Sequence, residues 1–244
     1  MSTSLTRKLT TLAGMTALAM PSMRAQADVV AYWNFNEGAG NTAYDSTGNG
    51  NNGTLENGVS WTTDSVSGHA LRFDGINDRI MVDNTQSMRL TDNLTIDAFV
   101  KRDSNQDGTI FSCNGPFFMA VRNNKLYGGV YNTENTTDGW VDVQGTTDLQ
   151  LNRWYKLSIT YDGSSVNAFV NGTLDGFTPA TGTRNPDRFA YRPWIGWGEY
   201  GQDQYFHGTI DELKIHDVAI PSPSSPSLAL TGIGLLTMTR KRGM

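Results

Sequence analysis

The chain has 244 residues, of which 38% are hydrophobic and one is a cysteine, and a formal net charge of −5. Six basic residues and no acidic ones lie in segments 1–27 and 221–244, which leaves −11 for the middle. So acidic a middle disfavours nucleic acid and other polyanions, and the lone Cys113 excludes an intrachain disulfide.

In chain order, Arg7 and Lys8 precede the small and apolar run Leu9–Met20, and Ala25-Gln26-Ala27 follows with the small-x-small form of a cleavage site. This order predicts a secretory signal peptide over residues 1–27. The run is too short for a membrane span, which needs about 20 apolar residues.

Residues 28–220 read as one all-β domain. Period-two alternation and β-branched or aromatic residues predict strands at Val29–Phe35, Ala70–Phe73, Arg79–Asp83, Leu94–Lys101, Thr109–Ser112 and Phe117–Arg122. Further strands are predicted at Leu126–Tyr131, Trp140–Val143, Trp154–Tyr161, Val166–Val170, Trp194–Gly196 and Phe206–His216. Asn57-Gly58, Asp74-Gly75, Asp107-Gly108, Asp138-Gly139, Asp162-Gly163 and Asn171-Gly172 are the turn signals. Along Leu94–Val100, Thr95, Asp97 and Phe99 alternate with Leu94, Ile96, Ala98 and Val100, as in a strand with one buried face. Cys113 reads as a small buried residue, because no base is in place to activate it.

Beyond the domain, Pro221-Ser222-Pro223-Ser224-Ser225-Pro226 breaks the strand pattern. The apolar run Ser227–Thr239 and the cluster Arg240-Lys241-Arg242 end the chain. Segment 221–244 resembles the PEP-CTERM sorting signal of some Gram-negative bacteria, with Pro221-Ser222-Pro223 in place of Pro-Glu-Pro. An uncleaved tail anchor with its basic end cytoplasmic is the other reading. Either implies a protein exported and held, at least transiently, at the cell envelope or surface.

The middle also carries a family resemblance. Its motifs, in order, are Trp33-Asn34-Phe35, Asp45-Ser46-Thr47-Gly48-Asn49-Gly50, Leu71-Arg72-Phe73-Asp74-Gly75, Leu94–Lys101, Trp154–Gly163, Val170-Asn171-Gly172 and Gly208–His216. Together they resemble the laminin-G-like jelly rolls of the concanavalin A-like lectin/glucanase group. The resemblance runs from about Val30 to Ala219 and implies an antiparallel two-sheet sandwich. Leu71–Gly75 is expected to open a hairpin. The family likeness also implies a structural calcium joining an early Asp/Gly loop to the closing strand, with Asp45, Asn49 and Asp211 as ligands. The residues by themselves leave a second reading open, in which Asp45 caps an Asx-turn and Asp211 accepts backbone hydrogen bonds. The loop is no EF-hand, and His69, His207 and His216 lack metal-ligand spacing.

Catalytic patterns are missing from the sequence. Glycoside hydrolysis calls for two carboxyls across a cleft, yet neither Glu-x-Asp-x-x-Glu nor Glu-x-Asp-x-Glu occurs. Asp211 and Glu212 are adjacent and point to opposite faces of a strand. No Gln-x-His lyase segment, Gly-x-Ser-x-Gly, phosphate loop or dinucleotide fingerprint is present.

Aromatic density points instead to binding. Phe189–Tyr200 is rich in rings, and Tyr205 and Phe206 follow. Tyr191, Trp194, Trp197, Tyr200, Gln202 and Asp203 are the candidate ligand-binding residues, with Ile195 and Phe206 assigned to the core. Trp197 sits between two glycines, which predicts an exposed ring. The expected function is non-catalytic binding of carbohydrate or an extracellular matrix component. A structural or adhesive surface protein with a protein partner, and a polysaccharide-processing enzyme, are the alternatives.

Overall fold

The computed structural model describes residues 29–113, 116–132, 139–181, 193–198 and 204–220. In chain order the strands are β1 Val29–Trp33, β2 Thr42–Ala43, β3 Gly53–Glu56, β4 Ser60–Thr62, β5 Ala70–Asp74, β6 Arg79–Val82, β7 Leu94–Arg102 and β8 Gly108–Cys113. They continue as β9 Phe117–Arg122, β10 Lys125–Tyr131, β11 Trp140–Gln144, β12 Trp154–Tyr161, β13 Ser165–Val170, β14 Thr173–Pro179, β15 Pro193–Ile195 and β16 His207–His216. A 3₁₀ turn at Gln86–Met88 is the one helical element among the described residues.

Two antiparallel sheets form the sandwich. The first runs β14-β13-β12-β7-β16-β5-β4, with β1 also paired to β16. The second runs β11-β10-β9-β8-β15-β6-β3-β2. Val29 is paired with His216 and Trp33 with Leu213, so the strand that enters the domain and the strand that leaves it are neighbours.

Side-chain alternation builds the core between the sheets. Ile96, Ala98 and Val100 of β7 and Leu157 and Ile159 of β12 meet Met119 and Val121 of β9 and Leu126 and Val130 of β10 in one buried cluster. Trp33 lies against Phe111 with ring centroids 6.2 Å apart, and Phe111 stacks on Phe117 at 5.8 Å. The Trp33 indole Nε1 donates to Asn51 O at 2.7 Å, which lets a large amphipathic ring be fully buried. Cys113, Ile195 and Phe206 are buried, as the sequence predicts.

Turn chemistry is obeyed locally. Asn171 and Gly172 take φ of 50° and 80° in the β13–β14 hairpin, and Gly163 takes 84° between β12 and β13. Asp74-Gly75 is a correction: β5 and β6 belong to different sheets, so this turn carries the chain across the sandwich and opens no hairpin. Asp74 Oδ1 accepts from Ile76 N at 2.8 Å, and Gly75 has φ of 74°.

Candidate functional site

A cleft forms on the outer face of the second sheet, where three adjacent strands turn polar and aromatic side chains away from the core. On β9, Phe117, Met119 and Val121 point inward, so Phe118, Ala120 and Arg122 face out. On β10 the outward positions are Tyr127, Gly129 and Tyr131, and on β11 they are Trp140, Asp142 and Gln144, opposite the buried Val141 and Val143. Register places Gly129 between Phe118 and Asp142. A Cβ at Gly129 would stand 2.4 Å from Asp142 Oδ1, so only glycine leaves room there for its neighbours.

Around that gap the rings form a continuous wall. Phe118 lies 5.3 Å from Tyr127 and 5.5 Å from Trp140, and Trp140 meets Tyr131 edge-on at 5.5 Å. The Arg122 guanidinium sits 4.1 Å from the Tyr127 ring centroid. The Tyr127 hydroxyl donates to Asp142 Oδ2. Burial pushes the Tyr127 phenol up, and the Asp142 carboxylate pushes it further, so the hydroxyl stays a donor at any physiological pH.

The facing wall comes from β8 and the segment after β15. Thr109 and Ser112 of β8 line it with Gly198 and Gln204. The backbone at Gly198 comes close to β8: a Cβ there would be 3.0 Å from both Thr109 Cγ2 and Thr109 Oγ1. The enclosed volume is about 300 Å³, with Phe118, Arg122, Tyr127, Trp140 and Asp142 on one side. This combines broad apolar rings with one cation, one anion and several hydroxyl and amide groups.

Four of the six aromatic-loop candidates, Tyr191, Tyr200, Gln202 and Asp203, lie outside the described residues. Trp194 is half-buried, opposite Ser112 of β8 and Met81 of β6. Trp197 packs edge-on against it at 5.1 Å, and Arg79 lies 4.6 Å and 5.3 Å from the two ring centroids. The predicted exposure of Trp197 is overturned: it is 7% exposed, and its Nε1 is buried without a partner. The flanking glycines explain the difference. A Cβ at Gly196, where φ is +80°, would stand 2.4 Å from Phe73 Cε1, and Gly198 abuts Thr109. They are small because the chain presses against the sheet here, and that same approach buries Trp197.

The cleft residues Phe118, Arg122, Tyr127, Trp140 and Asp142 were not among the sequence candidates. Their signal was present in the period-two reading. Strands with an already complete inward set, such as Phe117, Met119 and Val121, also carry rings on the alternate positions, and water does not explain an aromatic outer face.

Each residue implied for calcium has hydrogen-bond partners within the protein. Asp45 Oδ1 accepts from Tyr32 N at 3.1 Å, Thr47 N at 3.0 Å and Thr47 Oγ1 at 2.8 Å. Its Oδ2 accepts from Asn51 N at 3.1 Å, Asn51 Nδ2 at 2.9 Å and Thr47 Oγ1 at 2.9 Å. Burial raises the Asp45 carboxyl, but the bonds from Thr47, Tyr32 and Asn51 outweigh it and hold the group below its usual range. Both oxygens face protein donors, an arrangement suited to anchoring a loop. Asn49 turns its amide Nδ2 to Val30 O at 3.0 Å. Asp211 is fully buried: Oδ2 accepts from Val66 N at 2.8 Å and Ser67 N at 3.1 Å, while Oδ1 has no partner. Burial pushes its carboxyl up, and the charge of nearby Glu212 adds to this, against the pull of backbone donors at Ser67, Val66 and Glu212. Asp45 and Asp211 share no hydrogen-bond partner, and no group of three His, Cys, Asp or Glu suited to a metal occurs among the described residues.

Comparison with known proteins agrees with this architecture. An α-L-arabinofuranosidase of Bifidobacterium longum subsp. longum is 26% identical over 91% of this chain, which spans 22% of that enzyme. Among solved structures, the binding domain of Paraclostridial Mosquitocidal Protein 1 superposes with a TM-score of 0.61 at 14% identity, over 79% of this chain and 49% of that one. Domain 4 of an extracellular arabinanase from Geobacillus stearothermophilus, in complex with arabinotriose, superposes with a TM-score of 0.57 at 19% identity, over 80% of this chain and 94% of that one. The binding domain of botulinum neurotoxin DC in complex with SialylT gives 0.59 at 16% identity, over 79% and 48%. Residues 74–223, more than half of the chain, match the Laminin_G_3 family. With its two antiparallel sheets, the chain belongs to the concanavalin A-like lectin/glucanases superfamily.

Proposed function

We propose that this domain binds carbohydrate in the cleft on the outer face of its second sheet and does not turn it over. The observation that carries the reading is the ring wall of Phe118, Tyr127 and Trp140, with Arg122, Asp142 and Gln204 around about 300 Å³ of space. A sugar ring offers apolar C–H faces and a rim of hydroxyls. Rings supply the contact area, and a few fixed polar groups orient the ligand. Arg122 can donate to hydroxyl oxygens, and Asp142 can accept from hydroxyl protons.

The arabinotriose held by the arabinanase domain and the arabinofuranosidase relative make arabino-oligosaccharides the first ligands to try. Hydrolysis needs two carboxyls across the bond. Asp142 is the one carboxylate among the described residues that line the cleft, and it already holds the Tyr127 hydroxyl. The test is a glycan array, followed by calorimetric titration of arabinotriose into wild type and Trp140→Ala. Trp140 is half-buried, so the variant is expected to keep its melting temperature within a few degrees and lose at least tenfold in affinity, about 1.4 kcal/mol. Unchanged affinity in the variant, or an array with no glycan bound, would sink the reading.

Export, retention at the cell envelope and a structural calcium belong to the same proposal. The first two rest on segments 1–27 and 221–244, which lie outside the described residues. For calcium, Asp211 with its unpartnered buried Oδ1 is the anchor the geometry favours, and the loop of Asp45 and Asn49 is held by protein donors.

A further inference from the structure

The wall of the cleft on the β8 side is braced by residues that lie outside the cleft. Ile80 and Val82 of β6 point into the core, so Arg79 and Met81 face out, as does Trp194 beside the buried Ile195 of β15. Trp194 is paired with Met81, which puts Arg79 on its diagonal, within reach of a long side chain. On the other flank Glu56 of β3 is paired with Arg79, and its Oε2 accepts from Arg79 Nε at 2.8 Å. The guanidinium so tethered lies by both indoles, 4.6 Å from the Trp194 centroid and 5.3 Å from that of Trp197. Trp197 also leans on Tyr205, with ring centroids 6.3 Å apart.

Trp197 is where this cluster meets the cleft. The next residue, Gly198, lines the cleft, and so does Gln204, which precedes Tyr205. Backbone bonds pin the segment on either side: Gly196 N donates to Ile110 O at 2.9 Å, Thr109 N to Gln204 O at 3.1 Å, and Phe206 N to Gly196 O at 2.9 Å. None of these bonds involves Trp197 or Gly198. The Trp197 side chain has no hydrogen bond of its own either, because its buried Nε1 is without a partner. Neighbouring rings and the Arg79 charge are therefore what set the indole, and the indole sets the residue that follows it.

We propose that Arg79, tethered by Glu56, is a positioning residue for the glycan cleft: it holds the Trp197 indole, keeps Gly198 against Thr109 and Ser112, and so fixes the width of the cleft. The inference rests on the carbohydrate reading of that cleft. Neither Arg79 nor Glu56 is among the residues that line it, so the effect runs through Trp197 and not through contact with the ligand. Arginine suits the task. Its Nε–H engages the carboxylate in the plane of the guanidinium, which leaves the flat face for the rings. Lysine can supply the charge but not the plane. The ion pair is partly exposed, with the two side chains 29% and 27% accessible, so the fold itself loses little when it is removed.

Two measurements on the full chain test this together. Indoles 5.1 Å apart couple excitonically, so the far-ultraviolet circular dichroism carries a Trp194–Trp197 couplet, identified by its loss in Trp194→Phe. Arabinotriose is titrated by calorimetry into wild type, Arg79→Ala, Arg79→Lys and Glu56→Gln. Arg79→Ala is expected to bind about tenfold more weakly, with a reduced couplet and a melting temperature within a few degrees of wild type. Arg79→Lys keeps the charge and its carboxylate partner and recovers part of both signals, and Glu56→Gln falls between Arg79→Lys and wild type. A role in stability alone would lower the melting temperature and leave the affinity of the folded protein and the couplet as they are, which overturns the proposal. A weakened affinity with the couplet intact in Arg79→Ala also overturns it, since Arg79 would then meet the glycan itself. Equal affinity in wild type and Arg79→Ala defeats the positioning role and leaves the carbohydrate reading standing, whereas a wild type that binds no arabinotriose defeats that reading and the positioning role with it.

Discussion

Replacing Asp45 with alanine separates a loop anchored by hydrogen bonds from one anchored by a metal. The carboxylate receives five protein donors: Tyr32 N, Thr47 N, Thr47 Oγ1, Asn51 N and Asn51 Nδ2. A hydrogen bond to a charged group contributes about 1.5–3 kcal/mol, but five such values do not add, because the Thr47 hydroxyl can turn toward water and Asn51 Nδ2 also donates to Val30 O at 2.9 Å. The backbone donors of Tyr32, Thr47 and Asn51 are fixed by the fold, and Asn51 is fully buried. Leaving such donors unsatisfied costs about 1–3 kcal/mol each, so a loss of about 4 kcal/mol is the working figure. With a denaturant slope of about 2 kcal/mol/M, the urea midpoint falls by about 2 M. The carboxyl is held below its ordinary value when folded. Its contribution is therefore complete above the unfolded-state pKa of about 3.9 and fades as pH falls below that. Urea titrations at neutral pH and near pH 3, with and without chelator, supply the assay. The expected result is a large gap at neutral pH that narrows in acid and ignores the chelator. A gap under 1 kcal/mol, or one abolished by chelator, would refute the hydrogen-bond account.

Trp197→Ala should lower stability by about 3 kcal/mol, because a buried ring is removed and its unpaired Nε1 offsets part of the loss; a melting curve that overlays wild type would return Trp197 to the surface. Calcium should stabilise wild type by about 2.7 kcal/mol at a hundredfold excess over Kd, which raises its melting temperature, and should leave Asp211→Asn unmoved; curves that coincide with and without chelator would remove the ion from the proposal. Exported protein should begin at Asp28 by N-terminal sequencing, and deletion of residues 221–244 should release it to the medium; an intact Met1 on exported material, or unchanged cell association, would count against these segments as signals.

The sandwich was legible wherever burial and alternation coincide. The alternation predicts Phe117–Arg122 and Trp154–Tyr161 with their observed bounds, because each carries one complete apolar face and stops at a turn residue. The sequence carries no strand signal for β14, because Thr173–Pro179 is largely exposed and holds Asp, Gly and Pro, so its strand conformation comes from pairing with β13 and from no pattern of its own. β2 and β4 are two and three residues long, too short to show a period. The site was legible only in part. Local aromatic density drew attention to residues 191–205, whereas the cleft is assembled from Phe118, Tyr127 and Trp140 on three strands whose register no local window contains. The glycines beside Trp197 misled for a related reason: a small residue marks either open space or close approach, and only the neighbour across the sheet decides which.

The pairing of Val29 with His216 also governs how the domain carries a mechanical load. Its entry and exit strands are antiparallel neighbours with their outer ends together, so tension applied across the two ends peels β1 from β16 one pair at a time, as a zipper opens. Tension between one end and a ligand held in the cleft bypasses that zipper and passes through the packed sheets. Under the carbohydrate binding proposed above, a load running from one end to a bound polymer would therefore leave the β1–β16 pairing intact while the sheets carry it.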